Sequence, residues 1–177
     1  EKIDIGGPAM VRAAAKNYND VTVITSLNQY NELINQLKIY KGSTSLDFRK
    51  KMSKIAFTET AYYDSIISNY FNKISNLNFP QKKIIHGNLV EILRYGENPH
   101  QKSAIYSIDK DIKLKKIQGK HLSYNNYNDI FSALAISKTL PKNIGTVITK
   151  HSNPCGVSVQ KNNLDSYKSA LACDPVS

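Results

Sequence analysis

Cysteine is scarce in this chain: Cys155 and Cys173 are the only two in 177 residues. They are too far apart for a C-x-x-C pair and too few for a disulfide framework, which excludes a small stapled secreted scaffold and fits a reducing compartment. No apolar run approaches the roughly 20 residues of a membrane-spanning helix. No charged, then apolar, then small-residue leader opens the chain. A cytoplasmic protein with no membrane partner is therefore expected. Acidic residues are also few, 14 against 24 basic ones, for a formal charge of +10. That balance suits an anionic partner: nucleic acid, a phosphorylated metabolite or a membrane surface. The basic residues are nevertheless dispersed rather than gathered into an arm or stripe, and no nucleic-acid-binding motif accompanies them. Abundant Lys, Asn, Ile and Tyr are also what A- and T-rich coding DNA yields. No internal repeat is present.

What the chain does have is a mixed pattern of helix and strand signals with an ordinary apolar content of 41%. "EKIDIGGPAMVRAAAKNYNDVTVIT" opens with a short alternating stretch, turns at Gly6 and Gly7, and places Pro8 in the first turn of a helix. The β-branched run "VTVIT" follows, so a strand, helix, strand unit on a buried parallel sheet is expected. Leu27, Tyr30, Leu33, Ile34 and Leu37 recur at helical spacing up to Gly42. Thr44 or Ser45 then caps one long helix or two consecutive ones, whose apolar series runs from Leu46 through Phe48, Met52 and Ala56 to Ile74. "SNLNFPQKK" breaks all periodicity, which places a domain boundary near Pro80. Beyond it come a strand-like "SAIYSI", a polar hairpin-like passage through "DKDIKLKKIQGK", a helix at "NDIFSALAISKTL" and the strand "TVIT". The second half is therefore also mixed α and β. Glu1 in place of Met and an abrupt "ACDPVS" ending lead us to expect an internal fragment of a longer protein.

Four stretches carry residue types suited to chemistry. Asp4 precedes a Gly-Gly turn into a helix, where open α/β sheets bind ligands and where the positive helix end favours an anion. There is neither a G-x-G-x-x-G fingerprint nor a Walker lysine, so Gly6 and Gly7 serve a turn equally well. Lys16, at the end of that helix, also complements the helix dipole. In "LRYGENPHQ", Arg94 beside Tyr95 suits a phosphate or a stacked base. "LSYNNYND" sets Asn125 and Asn126 before a helix, as caps or as readers of a carboxamide.

The fourth stretch, "GTVITKHSNPCGV", sets Lys150 and His151 side by side at the end of an apolar run. A histidine can move a proton near neutral pH, and a neighbouring ammonium stabilises negative charge growing on a substrate oxygen. Adjacent residues of an extended strand point to opposite faces, so both reach one substrate only if the chain bends there, and the Asn-Pro-Cys-Gly turn is expected to supply the bend. Cys155 invites a nucleophile or a zinc ligand. The H-x-E pattern of a zinc deaminase is missing, however, and Ser158 stands where the second cysteine of P-C-x-x-C belongs. No metal is expected.

Five stretches, "IDIGGPAMVRAAAKN", "LRYGENPHQ", "QGKHLSYNN", "KHSNPCGV" and the terminal "DPVS", together resemble one family. It is the bifunctional purine biosynthesis family, which joins an IMP cyclohydrolase to a 5-aminoimidazole-4-carboxamide ribonucleotide (AICAR) formyltransferase. They follow the family's order along almost the whole chain. The resemblance implies an α/β protein. Residues 1–80 would be the C-terminal part of a Rossmann-like, methylglyoxal-synthase-like cyclohydrolase domain, and 81–85 a linker. Residues 86–177 would be the N-terminal part of a cytidine-deaminase-like formyltransferase domain without its zinc.

It further implies that Asp4 and Ile5 contact nucleotide and that Lys16 is the proton donor or acceptor of ring closure. Arg94, Tyr95 and Asn126 would bind AICAR. His151 would take a proton from the 5-amino group as it attacks the formyl of 10-formyltetrahydrofolate, and Lys150 would stabilise the transition state. AICAR, formyl-AICAR and IMP are the implied ligands, and a homodimer the implied assembly. His121, Tyr127 and Ser152 depart from the family's pattern, and its segments before Asp4 and after Ser177 are missing, so no turnover is expected of these 177 residues alone. A nonenzymatic basic module that binds nucleic acid is the alternative reading.

Overall fold

The computed structural model describes residues 2–108 and 114–176, so part of the hairpin-like passage expected at "DKDIKLKKIQGK" and the last residue of "DPVS" lie outside the described residues. The chain divides into two compact units, Glu1–His86 and Gly87–Ser177.

The first unit is helical. α1 (Gly6–Lys16) packs on α3 (Leu46–Ile74), and α2 (Tyr30–Ile39) follows a short 3₁₀ turn at Leu27–Gln29. Small residues on α1 allow close approach. Ala15 is wholly buried, and its carbonyl accepts a hydrogen bond from Ser53 Oγ at 2.7 Å. Phe48, Met52 and Ala56 complete the core with Val23, and Val11, Ala14, Ile24, Leu33 and Ile55 pack around it. Ser45 caps α3 by accepting the Phe48 amide at 3.2 Å, and the helix runs unbroken for 29 residues. Its end is a left-handed cap. Asn76 has φ 52°, and the amides of Asn76 and Leu77 return to the carbonyls of Lys73 and Asn72. Arg49 ties the start of α3 to the chain leaving α1, donating to the carbonyls of Tyr18 (2.9 Å), Asn19 (2.7 Å) and Thr44.

Two expectations need correcting here. Of the strand, helix, strand unit only the helix forms, because a strand requires a partner for its backbone groups and none pairs with residues 21–25 among the described residues. The apolar series of α3 is buried only in its first half. Ile66, Tyr70, Phe71 and Ile74 are 43–56% exposed and line an open groove of about 500 Å³ with Lys2, Ile3, Tyr63 and Ile67. Beyond α3, residues 84–86 fold back along the helix. Asn69 Nδ2 donates to the Ile84 carbonyl at 3.2 Å, and the His86 ring packs edge-on against Tyr62.

The second unit is mixed α and β. β1 (Asn88–Ile92) pairs antiparallel with β2 (Ala104–Ser107), and β3 (Gly145–Lys150) pairs antiparallel with β4 (Asn153–Val159). α4 (Tyr124–Ser137) and α5 (Asn163–Cys173) pack on the second hairpin. On α5, Ser166 and Ala170, one turn apart, are buried and small enough to bring the helix backbone onto β4. Gly156 is the strand's side of that contact, since a Cβ there would lie 1.9 Å from the Ala170 carbonyl oxygen. Ser166 Oγ accepts the Gln160 amide at 2.8 Å and donates to the Ile144 carbonyl, fixing the helix against both strands.

Because backbone cannot swing aside as a side chain can, Gly156→Ala must push α5 off β4. We expect a loss of at least about 1–3 kcal/mol of stability, measured as a lowered urea midpoint. A variant as stable as the parent would show that the helix rides further from the strand.

Candidate functional site

β3 ends at Lys150 and β4 begins at Asn153, so His151 and Ser152 alone reverse the chain. Both are left-handed, with φ 54° and 62°. This is the arrangement of a type I′ hairpin turn, usually made by Asn and Gly because each non-glycine residue held there costs about 1–3 kcal/mol. The bend therefore comes from His-Ser, and the sequence expectation of an Asn-Pro-Cys-Gly turn is corrected. Those four residues lie in β4. Ile148 pairs with Gly156 and Thr149 with Pro154, leaving Cys155 as the extra residue of a bulge. Pro154, with no amide to donate, is tolerated beside it. Cys155 is a half-buried free thiol.

The turn is held from α4. Asp129 Oδ1 accepts the Ser152 amide at 2.7 Å, and the Asp129 carbonyl accepts from Thr149 Oγ1 at 3.1 Å. Asn153 Nδ2 adds a bond to the His151 carbonyl at 2.9 Å. Lys150 and His151 are left exposed.

α4 also holds the "LRYGENPHQ" loop, which connects β1 to β2. The Arg94 amide donates to the Leu122 carbonyl (3.0 Å), the Tyr124 amide to the Tyr95 carbonyl (3.1 Å), and Asn125 Nδ2 to the Glu97 carbonyl (3.1 Å). Arg94 donates to Tyr95 Oη at 2.9 Å, and its guanidinium lies 4.7 Å from the centre of that ring. An open pocket of about 450 Å³ is lined by Ile92, Leu93, Arg94, Lys120 and His121, three of them able to carry positive charge. Asn125 and Asp129 stand four residues apart on one helix face, about 6 Å along the axis. One face of α4 thus binds the Arg94–Tyr95 loop and, a turn later, the Lys150–His151 turn.

The helix begins earlier than the sequence suggested. Ser123 is its cap, and Asn125 and Asn126 lie in its first turn. Asn126 Oδ1 accepts from the Ser123 amide and hydroxyl, both at 3.0 Å. The part of its amide left to meet a ligand is the Nδ2 donor.

In the first unit the candidates are not brought together. Asp4 Oδ1 accepts the Gly7 amide at 3.0 Å over the first turn of α1, and a Cβ on Gly7 would lie 2.3 Å from the other carboxylate oxygen, Oδ2. Its own amide donates to Tyr63 Oη at 2.8 Å. Ile5 is 74% exposed. Lys16 stands at the far end of the helix, roughly 15 Å along the axis. Among the described residues no three of His, Cys, Asp and Glu form a metal-binding group.

A family model described as AICARFT/IMPCHase bienzyme matches residues 14–177. The chain belongs to that bienzyme family. Relatives named bifunctional purine biosynthesis protein PurH are similar to it along its whole length. Identity is 46% over 183 residues for the protein of Rhizobium rhizogenes, 45% over 183 for that of Rhizobium leguminosarum and 45% over 188 for that of Prochlorococcus marinus. The chain spans 34–36% of the length of these relatives. Lys16 and every candidate of the second unit lie inside the bienzyme match, and Asp4 and Ile5 precede it.

Two of the residues expected to depart from the family's pattern share one partner. Tyr127 Oη donates to Glu91 Oε2 at 2.9 Å, and His121 Nδ1 lies 3.3 Å from Glu91 Oε1. Glu91, on β1, and Asp129 are the residues that sequence reasoning missed. Asp129 was open to discovery through its i, i+4 relation to Asn125. Glu91 carried no signal, since 36 residues separate it from Tyr127. The Tyr127 hydrogen bond and then that of His121 hold the Glu91 carboxyl below its ordinary 4.5. Burial and then Glu91 push the Tyr127 phenol above its ordinary 10.0.

A lowered carboxyl contributes stability that is present above its unfolded value and lost as pH falls through the folded one. A raised phenol contributes stability that is present below its unfolded value and lost as pH rises through the folded one. Tyr127→Phe should therefore cost about 1 kcal/mol at neutral pH, the difference from the parent shrinking at both extremes. Urea midpoints across pH test this, and a difference that survives unchanged in acid would refute the pairing.

Proposed function

We propose that the protein of which this chain is part carries out the last two steps of IMP formation, formyl transfer to AICAR and dehydrative closure of formyl-AICAR. The observation that carries this reading is the single face of α4 that holds the Arg94–Tyr95 loop and the Lys150–His151 turn one helical turn apart. An anion-binding arginine and an acid-base pair then serve one ligand.

In this reading the second unit is the start of the formyltransferase domain, with a cytidine-deaminase-like fold. Arg94 and Tyr95 take the phosphate or ring of AICAR, and Asn126 offers its Nδ2 to the carboxamide. The 5-amino group is a weak nucleophile, so its attack on the formyl carbon needs a base. His151 accepts the proton, and the Lys150 ammonium opposes the negative charge that grows on the formyl oxygen. 10-Formyltetrahydrofolate is the formyl donor: its N10–formyl bond breaks as the new N–C bond forms, tetrahydrofolate leaves with a proton taken up at N10, and no metal takes part.

The first unit is the later part of a Rossmann-like cyclohydrolase domain. Asp4 and Ile5 contact the nucleotide, and Lys16 relays a proton as the carboxamide nitrogen attacks the formyl carbon and water leaves. The protein works in the cytoplasm as a homodimer, with no nucleic-acid or membrane partner.

The test is a double dissociation in the full-length protein. His151→Ala should lower transfer by about 10²–10⁴-fold while supplied formyl-AICAR still closes to IMP. Lys16→Ala should do the reverse. Equal loss of both half-reactions in a folded His151→Ala protein would overturn the role given to His151, and absence of transfer in the unmodified protein would overturn the reading as a whole.

A further inference from the structure

Three features outside the proposed chemistry stand out. The apolar groove on α3 is open, and nothing in the structure shows what covers it. The Glu91, His121 and Tyr127 cluster binds β1 to α4 but meets none of the reacting groups. The third is Asp129, and it bears directly on the Lys150–His151 pair.

Asp129 grips the turn on both sides of that pair, its carbonyl taking the Thr149 hydroxyl and its carboxylate the Ser152 amide. Ser152 is a non-glycine residue at φ 62°, directly after His151 at φ 54°. Neither residue favours that conformation by itself, and two in succession persist only where the surroundings hold them. The 2.7 Å charge-assisted bond to Ser152 is the contact that α4 makes with the second of them. Asp129 also lies one turn beyond Asn125, which grips the Arg94–Tyr95 loop, so it sets the distance between that loop and the turn.

We propose that Asp129 is a positioning residue for formyl transfer: it holds the left-handed His151–Ser152 turn so that Lys150 and His151 face one substrate. This rests on the transferase reading above. Asp129 itself touches neither substrate nor the reacting atoms.

The test is made in the full-length protein with both half-reactions assayed. Asp129→Ala should lower kcat for transfer about 10–100-fold, with KM for AICAR changed less than threefold (an estimate on the same ground) and closure of formyl-AICAR unchanged. Asp129→Asn keeps an oxygen that accepts the same amide and should recover most of the rate. Ser152→Gly supplies left-handed backbone without the carboxylate, and Asp129→Ala with Ser152→Gly should transfer faster than Asp129→Ala alone.

Full transfer activity in Asp129→Ala would overturn the proposal. So would equal loss of both half-reactions, or a double variant no faster than the single one. Absence of transfer in the unmodified protein would instead defeat the transferase reading. The turn can then still be followed without activity, because loss of the Asp129 carboxylate should speed hydrogen exchange of the Ser152 amide. An amide that exchanges at the parent rate in Asp129→Ala would count against the positioning role by itself.

Discussion

The second unit turns on a two-residue constraint: β3 reverses into β4 through His151 and Ser152, both left-handed. An ordinary extended strand sends neighbouring side chains to opposite faces. A tight reversal at His151 removes that restriction and leaves Lys150 and His151 exposed together at the hairpin's tip. The hairpin that carries the turn is held by α4 through Asp129 and by α5 through Gly156, Ser166 and Ala170. The small residues of α5 are thus as much a part of the site's support as the polar ones of α4. They allow the helix backbone to lie on the strand, and that contact fixes the strand whose first residue is Asn153.

α4 organises the rest of the unit through its first two turns. The residues on either side of its cap, Leu122, Tyr124 and Asn125, bind a loop contributed by the β1–β2 hairpin. Three backbone-directed bonds, at Arg94, Tyr95 and Glu97, join it to residues 122–125. The side chains of Arg94 and Tyr95 are bonded to each other among the described residues. The Glu91–Tyr127 bond makes a further tie from β1 to the same helix. His121 and Tyr127 meet at this one carboxylate.

The first unit rests on a different interaction, the close packing of an alanine-rich α1 on α3, with Arg49 satisfying three carbonyls of the intervening chain. Hydrophobic burial is concentrated at Phe48, Met52 and Ala56, and the second half of α3 leaves its apolar side open. A helix periodic over its whole length is thus buried over only part of it. Periodicity reports which side of a helix seeks a partner, and burial needs that partner to be present.

The sequence by itself determined α1, α2 and α3, because apolar spacing, the Ser45 cap and the stop after Lys41 act within a few residues of the chain, whereas α4 begins earlier than expected and α5 was not expected. It also determined the strand at "TVIT" and the motifs that mark the family, whose residue types have meaning in order along the chain. It misread the Pro-Gly stretch as a turn, since those residues also mark a bulge and a close helix approach, and the choice between them depends on α5. It read "VTVIT" as a strand, since local preference says nothing about whether a pairing edge is present.

Only the tertiary structure decided that α4 would join the Arg94 loop to the Lys150–His151 turn through Asn125 and Asp129, and that Glu91 would tie β1 to the same helix. Those bonds connect residues 20 to 36 positions apart. No periodicity or local preference encodes a pairing over that distance. It follows from the packing of separate elements into one unit, where geometry rather than sequence order sets which groups meet.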